Sequence, residues 1–161
     1  MSGGILFVCL GNICRSPLAE AIARREFARA GLRLPLASAG TGNWHVGEGA
    51  DARARAVATA HGYTLEAHRA QQVAVAHYHQ YDWLLAMDRS NLAEIRQRAP
   101  TDATARCALL LDVAGIAVEA EVPDPYFGGE AGFVDVLRLL ERAVAGLTAR
   151  IDRDGVRVEH G

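Results

Sequence analysis

Cys9 and Arg15, separated by Leu10-Gly11-Asn12-Ile13-Cys14 and followed by Ser16-Pro17, are the residues of this chain best placed to do chemistry. They come directly after the apolar run Ile5-Leu6-Phe7-Val8, whose β-branched and aromatic content reads as a strand buried on both faces. Ser16-Pro17 reads as a helix start, with serine as the cap and proline at the first helical position, where its missing N–H costs nothing. The loop between strand and helix then turns several backbone N–H groups toward one point at a helix N-terminus, a place that attracts anions. A thiolate at Cys9 is stabilised by the same field, because the helix end carries roughly half a positive charge and Arg15 adds a full one. The planar fork of Arg15 matches two phosphate oxygens at once. Gly11 permits a close or left-handed backbone, and Asn12 tolerates positive φ. The chemistry this implies is phosphoryl transfer to sulfur.

A thiolate attacking phosphorus in line expels an alkoxide or phenoxide, so a protonated acid must meet the leaving oxygen on the far side. Asp124, in Val122-Pro123-Asp124-Pro125-Tyr126, suits that task because the two prolines restrict the backbone on either side of it. The same carboxylate then serves as base when water hydrolyses the phosphocysteine. Arg15 and the loop amides stabilise the three equatorial oxygens, so neither a metal nor another cofactor is expected. Taken singly, Cys9 would read as a small buried hydrophobe and Asp124 as a turn residue before proline. It is the spacing and the strand-to-helix context that give them a joint meaning.

The stretch from Val8 to Pro17 resembles the phosphate-binding loop of the low-molecular-weight protein tyrosine phosphatases, V-C-x-G-N-x-C-R-S-P, at every fixed position. The resemblance continues through Ser38-Ala39-Gly40-Thr41, Gly42-Asn43-Trp44-His45, His68 with Ala70 and Gln72, Met87-Asp88-Arg89-Ser90-Asn91 and Asp124-Pro125-Tyr126. It implies Cys9 as nucleophile, Arg15 as the oxyanion-binding arginine and Asp124 as general acid. Asn12, Ser16, Ser38 and His68 would form the hydrogen-bond network that shapes the loop. Trp44 and Tyr126 would wall the substrate cleft, with Leu10 and Ile13 adding apolar contacts and Gly11 and Cys14 completing the loop around the phosphate. A narrow aromatic slot would favour phosphotyrosine over the shorter phosphoserine. Asp88 reads most simply as the cap of the helix after it, close to the site. Two departures stand out: Gln71 replaces the usual arginine of H-x-A-R-Q, which puts a local ion pair in doubt, and Phe127 follows Tyr126 where some members carry a second tyrosine.

Composition narrows the setting. The 161 residues suit one domain, with 152–161 as a polar tail able to fray. Seventeen basic against 19 acidic residues leave a net charge of −2, giving no reason to expect nucleic acid as a partner. All the basic side chains counted are arginine; without lysine, a G-x-x-x-x-G-K-[ST] nucleotide site and Schiff-base catalysis are excluded. The arginine and alanine excess suggests a GC-rich bacterial coding sequence. No signal peptide, membrane anchor or long apolar stretch is visible, and cysteines at 9, 14 and 107 make no disulfide framework, so a cytoplasmic protein is expected, with a monomer as the default oligomeric state. Its partner would be a tyrosine-phosphorylated protein, a bacterial tyrosine kinase among the candidates.

Apolar periodicity alternates between strand and helix, the pattern of an α/β three-layer sandwich with a four-stranded parallel sheet and helices on both faces. Strands are expected at 5–8, 34–37, 83–87 and 108–111, and helices at 19–30, 51–60, 91–98 and 132–151. In such sheets ligands bind beyond the carboxyl ends of the strands, where the cysteine loop, Ser38 and Asp88 would converge. Gly40 to Gly47 fails the spacing of a dinucleotide fingerprint and reads as a loop beside the cleft, while His77-Tyr78-His79 reads as solvated histidines. Cys14 is open between plain packing and a redox partner for Cys9. A thiol-coupled arsenate reductase on the same fold would need further cysteines, and Cys107 is the sole spare; a phosphate-binding module without turnover would not need all of Cys9, Arg15 and Asp124.

Overall fold

The computed structural model describes residues 4–126 and 128–153. The expectations concerning Phe127 and most of the tail, 154–161, lie outside them. Four parallel strands, β1 (Ile5–Cys9), β2 (Leu36–Gly40), β3 (Trp83–Ala86) and β4 (Arg106–Leu109), form one sheet in the order β2-β1-β3-β4. Among the described residues six helices accompany them: α1 (Arg15–Arg29), α2 (Ala52–Ala60), α3 (His77–Gln80), α4 (Arg89–Arg98), α5 (Leu110–Val113) and α6 (Glu130–Arg153).

The two-residue period of β1 divides the interior. Ile5, Phe7 and Cys9 face a core built with Leu18, Ile22 and Phe27 of α1 and Phe133, Leu137 and Leu140 of α6. Leu6 and Val8 face a second core with Tyr78, Leu92 and Ile95. Every residue of β1 is therefore buried, as a near-continuous apolar run on a parallel strand requires. The chain leaves β1 toward β2 on one side and later reaches β3 on the other. That reversal opens a crevice beyond Cys9.

Several boundaries differ from the expected ones. β2 begins only at Leu36, because Pro35 cannot donate to a ladder, and it runs on to Gly40 opposite Cys9. β4 lies at 106–109, in register with the four residues of β3; Leu110, Leu111 and Val113 then turn into α5 and drop into the first core. Helix α1 starts at Arg15 with Cys14 at the cap position, and no side chain caps it. Ser16 and Pro17 are thus the second and third helical residues. Pro17 still sits in the first turn, where an amide proton would have no helical partner. His77-Tyr78-His79 forms the short α3, in which Tyr78 is an interior residue donating its hydroxyl to the Ile95 carbonyl at 2.6 Å.

Candidate active site

The Cys9 sulfur lies at the end of β1 and receives two polar groups: the Asn12 N–H at 3.3 Å and the Ser16 hydroxyl at 2.9 Å. Ser16 also accepts an amide proton from Asn12 at 2.9 Å, which leaves its own proton free for the sulfur. Its hydroxyl is therefore committed to Cys9, while its place inside α1, after Arg15, already keeps it from the cap position.

Asn12 organises the loop. Its backbone is left-handed (φ 58°), as its residue type allows. Its two amide protons go to Ser16 and to Ser38 at 3.0 Å, its side-chain oxygen accepts the Gln71 N–H at 2.9 Å, and its carbonyl accepts from His68 Nε2 at 2.7 Å. Ser38 passes its own proton to Glu20 at 2.8 Å. A buried amide with every donor and acceptor used holds one geometry. Gln71, in place of the arginine that the resemblance leads one to expect, also donates to the Ser38 carbonyl at 2.9 Å, so a neutral hydrogen bond stands where an ion pair was in doubt. Gly11 is not left-handed; a side chain there would instead press on the His45 ring, 3.2 Å from the added carbon.

Arg15 is buried, with its guanidinium on Asp88 at 2.7 Å, the Val122 carbonyl at 3.1 Å and Asp124 at 3.4 Å. Burial by itself would pull the Arg15 pKa down, but Cys9, Asp88 and Asp124 outweigh it, and the net direction is up. Asp88 caps α4 through its other oxygen, on Asn91 N–H at 2.7 Å. Asp124 accepts the Tyr126 N–H at 3.0 Å, which closes a tight turn around Pro125.

Cys9, Leu10, Gly11, Ile13, Cys14, Arg15, Trp44, His45, Asp124 and Tyr126 line one cavity of about 160 Å³. Sulfur, guanidinium, carboxylate and both aromatic residues singled out from the sequence thus share a single space. Ser38, His68 and Asp88 stand behind it. Burial, followed by Asp51, Cys9 and Asp124, pushes the Cys14 thiol far above the ordinary cysteine range. Cys107 is on β4, packed against the second core, away from this cavity.

Sequence reasoning missed four contributors. His45 lines the cavity wall, held by Glu48 at 3.0 Å. Glu20 ends the Ser38 hydrogen-bond chain. Gly40 backs the loop: an added carbon there would sit 2.7 Å from the Leu10 carbonyl oxygen. Asp51, recognisable as a helix cap, also ties its N–H to the Ile13 carbonyl at 2.9 Å. Gly40 and His45 fall inside the matched motifs without a role assigned to them, while the contacts of Glu20 with Ser38 and of Asp51 with Ile13 join segments far apart in the chain.

Residues 4–157 match the family model described as low molecular weight phosphotyrosine protein phosphatase. A low molecular weight protein-tyrosine-phosphatase of Streptomyces coelicolor is 44% identical over 156 residues, covering 94% of each chain. The solved structure of a protein tyrosine phosphatase from Entamoeba histolytica, with Hepes in its active site, is similar at a TM-score of 0.88 and 36% identity, covering 96% of this chain and 99% of that one. An arginine phosphatase of Drosophila is similar at a TM-score of 0.85 and 30% identity, covering 91% and 96%. Loop, fold and relatives agree over nearly the whole length, and the chain belongs to the low molecular weight phosphotyrosine protein phosphatase family.

Proposed function

We propose that the chain hydrolyses phosphotyrosine on proteins, and small aryl phosphates, through a phosphocysteine at Cys9 with Asp124 as acid and then base. The observation that carries this is the convergence on Cys9 of the Asn12 amide and the Ser16 hydroxyl, in a cavity that also holds Arg15 and Asp124. The phosphate sits on the guanidinium fork and the loop amides, displacing the Asp124 carboxylate from its 3.4 Å contact with Arg15. Cys9 thiolate forms the S–P bond as the P–O bond to the tyrosine breaks, and Asp124 gives its proton to the departing phenoxide. In the second half, Asp124 takes a proton from water, the new P–O bond forms and the sulfur leaves as thiolate. The Ser16 proton and the Asn12 amide receive its returning charge.

The apolar walls supplied by Leu10, Ile13, Trp44 and Tyr126 suit a phenyl ring. A phosphorylated guanidinium, the group that an arginine phosphatase such as the Drosophila relative would take, carries more N–H donors than a phenyl ring, and those walls offer it mainly apolar surface. Within the cell, a bacterial tyrosine kinase is a fitting phosphoprotein substrate for a cytoplasmic, monomeric enzyme.

Hydrolysis of p-nitrophenyl phosphate in EDTA, with Cys9→Ser as the inactive control, tests the cysteine chemistry. A phosphotyrosyl peptide run beside phosphoarginine tests the leaving group. Turnover that survives Cys9→Ser would sink the mechanism, and preference for phosphoarginine would sink the substrate class. Thioredoxin-dependent arsenate reduction would point instead to thiol-relay chemistry.

A further inference from the structure

The segment carrying Asp124 is tied to the body of the molecule at its start and at its end. At its start, buried Val122 donates its N–H to the Met87 carbonyl at 2.8 Å and accepts from Arg15 at 3.1 Å. At its end, the Gly128 carbonyl accepts from the Arg53 guanidinium at 3.2 Å. Between these points Asp124 also reaches Arg15 at 3.4 Å and the Tyr126 ring centre stands 6.3 Å from that of His45, while Tyr126 N–H to Asp124 and Gly128 N–H to the Pro125 carbonyl are internal to the segment.

Arg53 is suited to the second anchor by its shape. Its guanidinium meets Asp51 with two nitrogens, at 3.0 and 3.2 Å, and lies 5.4 Å from the Tyr126 ring centre and 4.7 Å from that of Phe133. Asp51 is in turn bound to the Ile13 carbonyl of the phosphate loop at 2.9 Å. Two residues at the head of α2 therefore touch both the loop that holds the nucleophile and the segment that holds the carboxylate. The Arg53 side chain is 43% exposed, so its ion pair adds little to stability. What it supplies is a fixed distance between two loops. A lysine would keep the charge and lose both the fork and the stacking.

We propose that Arg53 is a positioning residue that holds the Asp124 segment over Cys9, so that the carboxyl meets the leaving oxygen. This rests on the reading of Asp124 as the general acid.

The test uses the intact chain and kcat/KM for a series of aryl phosphates running from 2,4-dinitrophenyl, whose phenoxide leaves unaided, to phenyl, whose phenoxide must be protonated. Arg53→Ala is expected to lower kcat/KM for phenyl phosphate roughly 10- to 100-fold and that for the dinitrophenyl ester by less than about threefold. Arg53→Lys should show the same tilt. Asp124→Ala, measured in parallel, should show it more steeply. Equal losses across the series in Arg53→Ala, or none, while Asp124→Ala remains steep, would overturn the proposal for Arg53 alone. A flat series in Asp124→Ala would overturn the reading of Asp124 itself, and this proposal with it.

Discussion

The Arg15 guanidinium and the Asp88 carboxylate meet at 2.7 Å, joining the phosphate loop to the loop after β3, while the second oxygen of Asp88 caps α4. One side chain therefore fixes both a helix start and the orientation of the group that would grip phosphate. Separating the two roles needs two variants.

Asp88→Ala removes cap and ion pair together and should destabilise the fold by about 1–3 kcal/mol. Asp88→Asn keeps an acceptor for the Asn91 N–H and should recover the cap's share of that loss. Both should lower kcat/KM about tenfold, because neither offers Arg15 a charged partner. Urea unfolding and steady-state kinetics on the pair check this. Full recovery of rate in the asparagine variant would show that the ion pair does not orient Arg15.

Gly40 ends β2 directly behind the phosphate loop. A methyl there would meet the Leu10 carbonyl oxygen at 2.7 Å, the Gly11 carbonyl carbon at 3.1 Å and the Asn12 nitrogen at 3.2 Å, all backbone atoms that cannot swing aside. Gly40→Ala should therefore cost about 1–3 kcal/mol in stability and weaken vanadate binding by roughly tenfold, the first through overpacking and the second through a displaced amide. Unchanged vanadate affinity would mean that the loop gives way without losing its shape.

These two residues show how far the sequence alone reaches. Cys9, Arg15 and Ser16 were legible because a short loop between a buried strand and a helix confines their geometry. Asp88 was legible as a cap, since capping is local. Its contact with Arg15 was not, because it depends on β1 and β3 lying side by side. Gly40 stood inside a matched motif with no role attached and Arg53 in none, as their meaning arises only when the ends of β1 and β2 and the head of α2 come together. The boundary errors have the same origin. Leu110 and Leu111 look like strand residues, yet the short register with β3 ends the ladder at Leu109 and packing turns the chain into α5. Ser16 looks like a cap, yet α1 already begins at Arg15 and the hydroxyl turns to the Cys9 sulfur.

Alkaline stability should depend on two buried tyrosines. Burial, then hydrogen bonding to Glu141, pushes Tyr63 up to about 12, and burial pushes Tyr78 up to about 12. In the unfolded chain a tyrosine ionises near about 10, so their contribution is complete below that pH and drains away as pH rises toward 12. Urea midpoints should fall across this window, and Tyr63→Phe and Tyr78→Phe should each flatten the fall. A slope unchanged in both variants would assign the alkaline loss to other groups.

Oxidation tests the remaining cysteine. Peroxide that enters the cavity converts the Cys9 thiolate to the sulfenic acid, which can condense with the Cys14 thiol to a disulfide, releasing water and sparing Cys9 from sulfinic acid. Both thiols are free, and the site works against a fast reaction: burial, then the charges of Asp51, Cys9 and Asp124, hold the Cys14 proton in place. Raising the pH should therefore shift the products from over-oxidised Cys9 toward the Cys9–Cys14 disulfide, and Asp51→Asn should produce part of the same shift at constant pH by removing one of those charges. Non-reducing mass spectrometry of timed peroxide reactions reads the ratio directly. Sulfonic acid at Cys9 beside a free Cys14 at every pH would show that Cys14 serves packing alone.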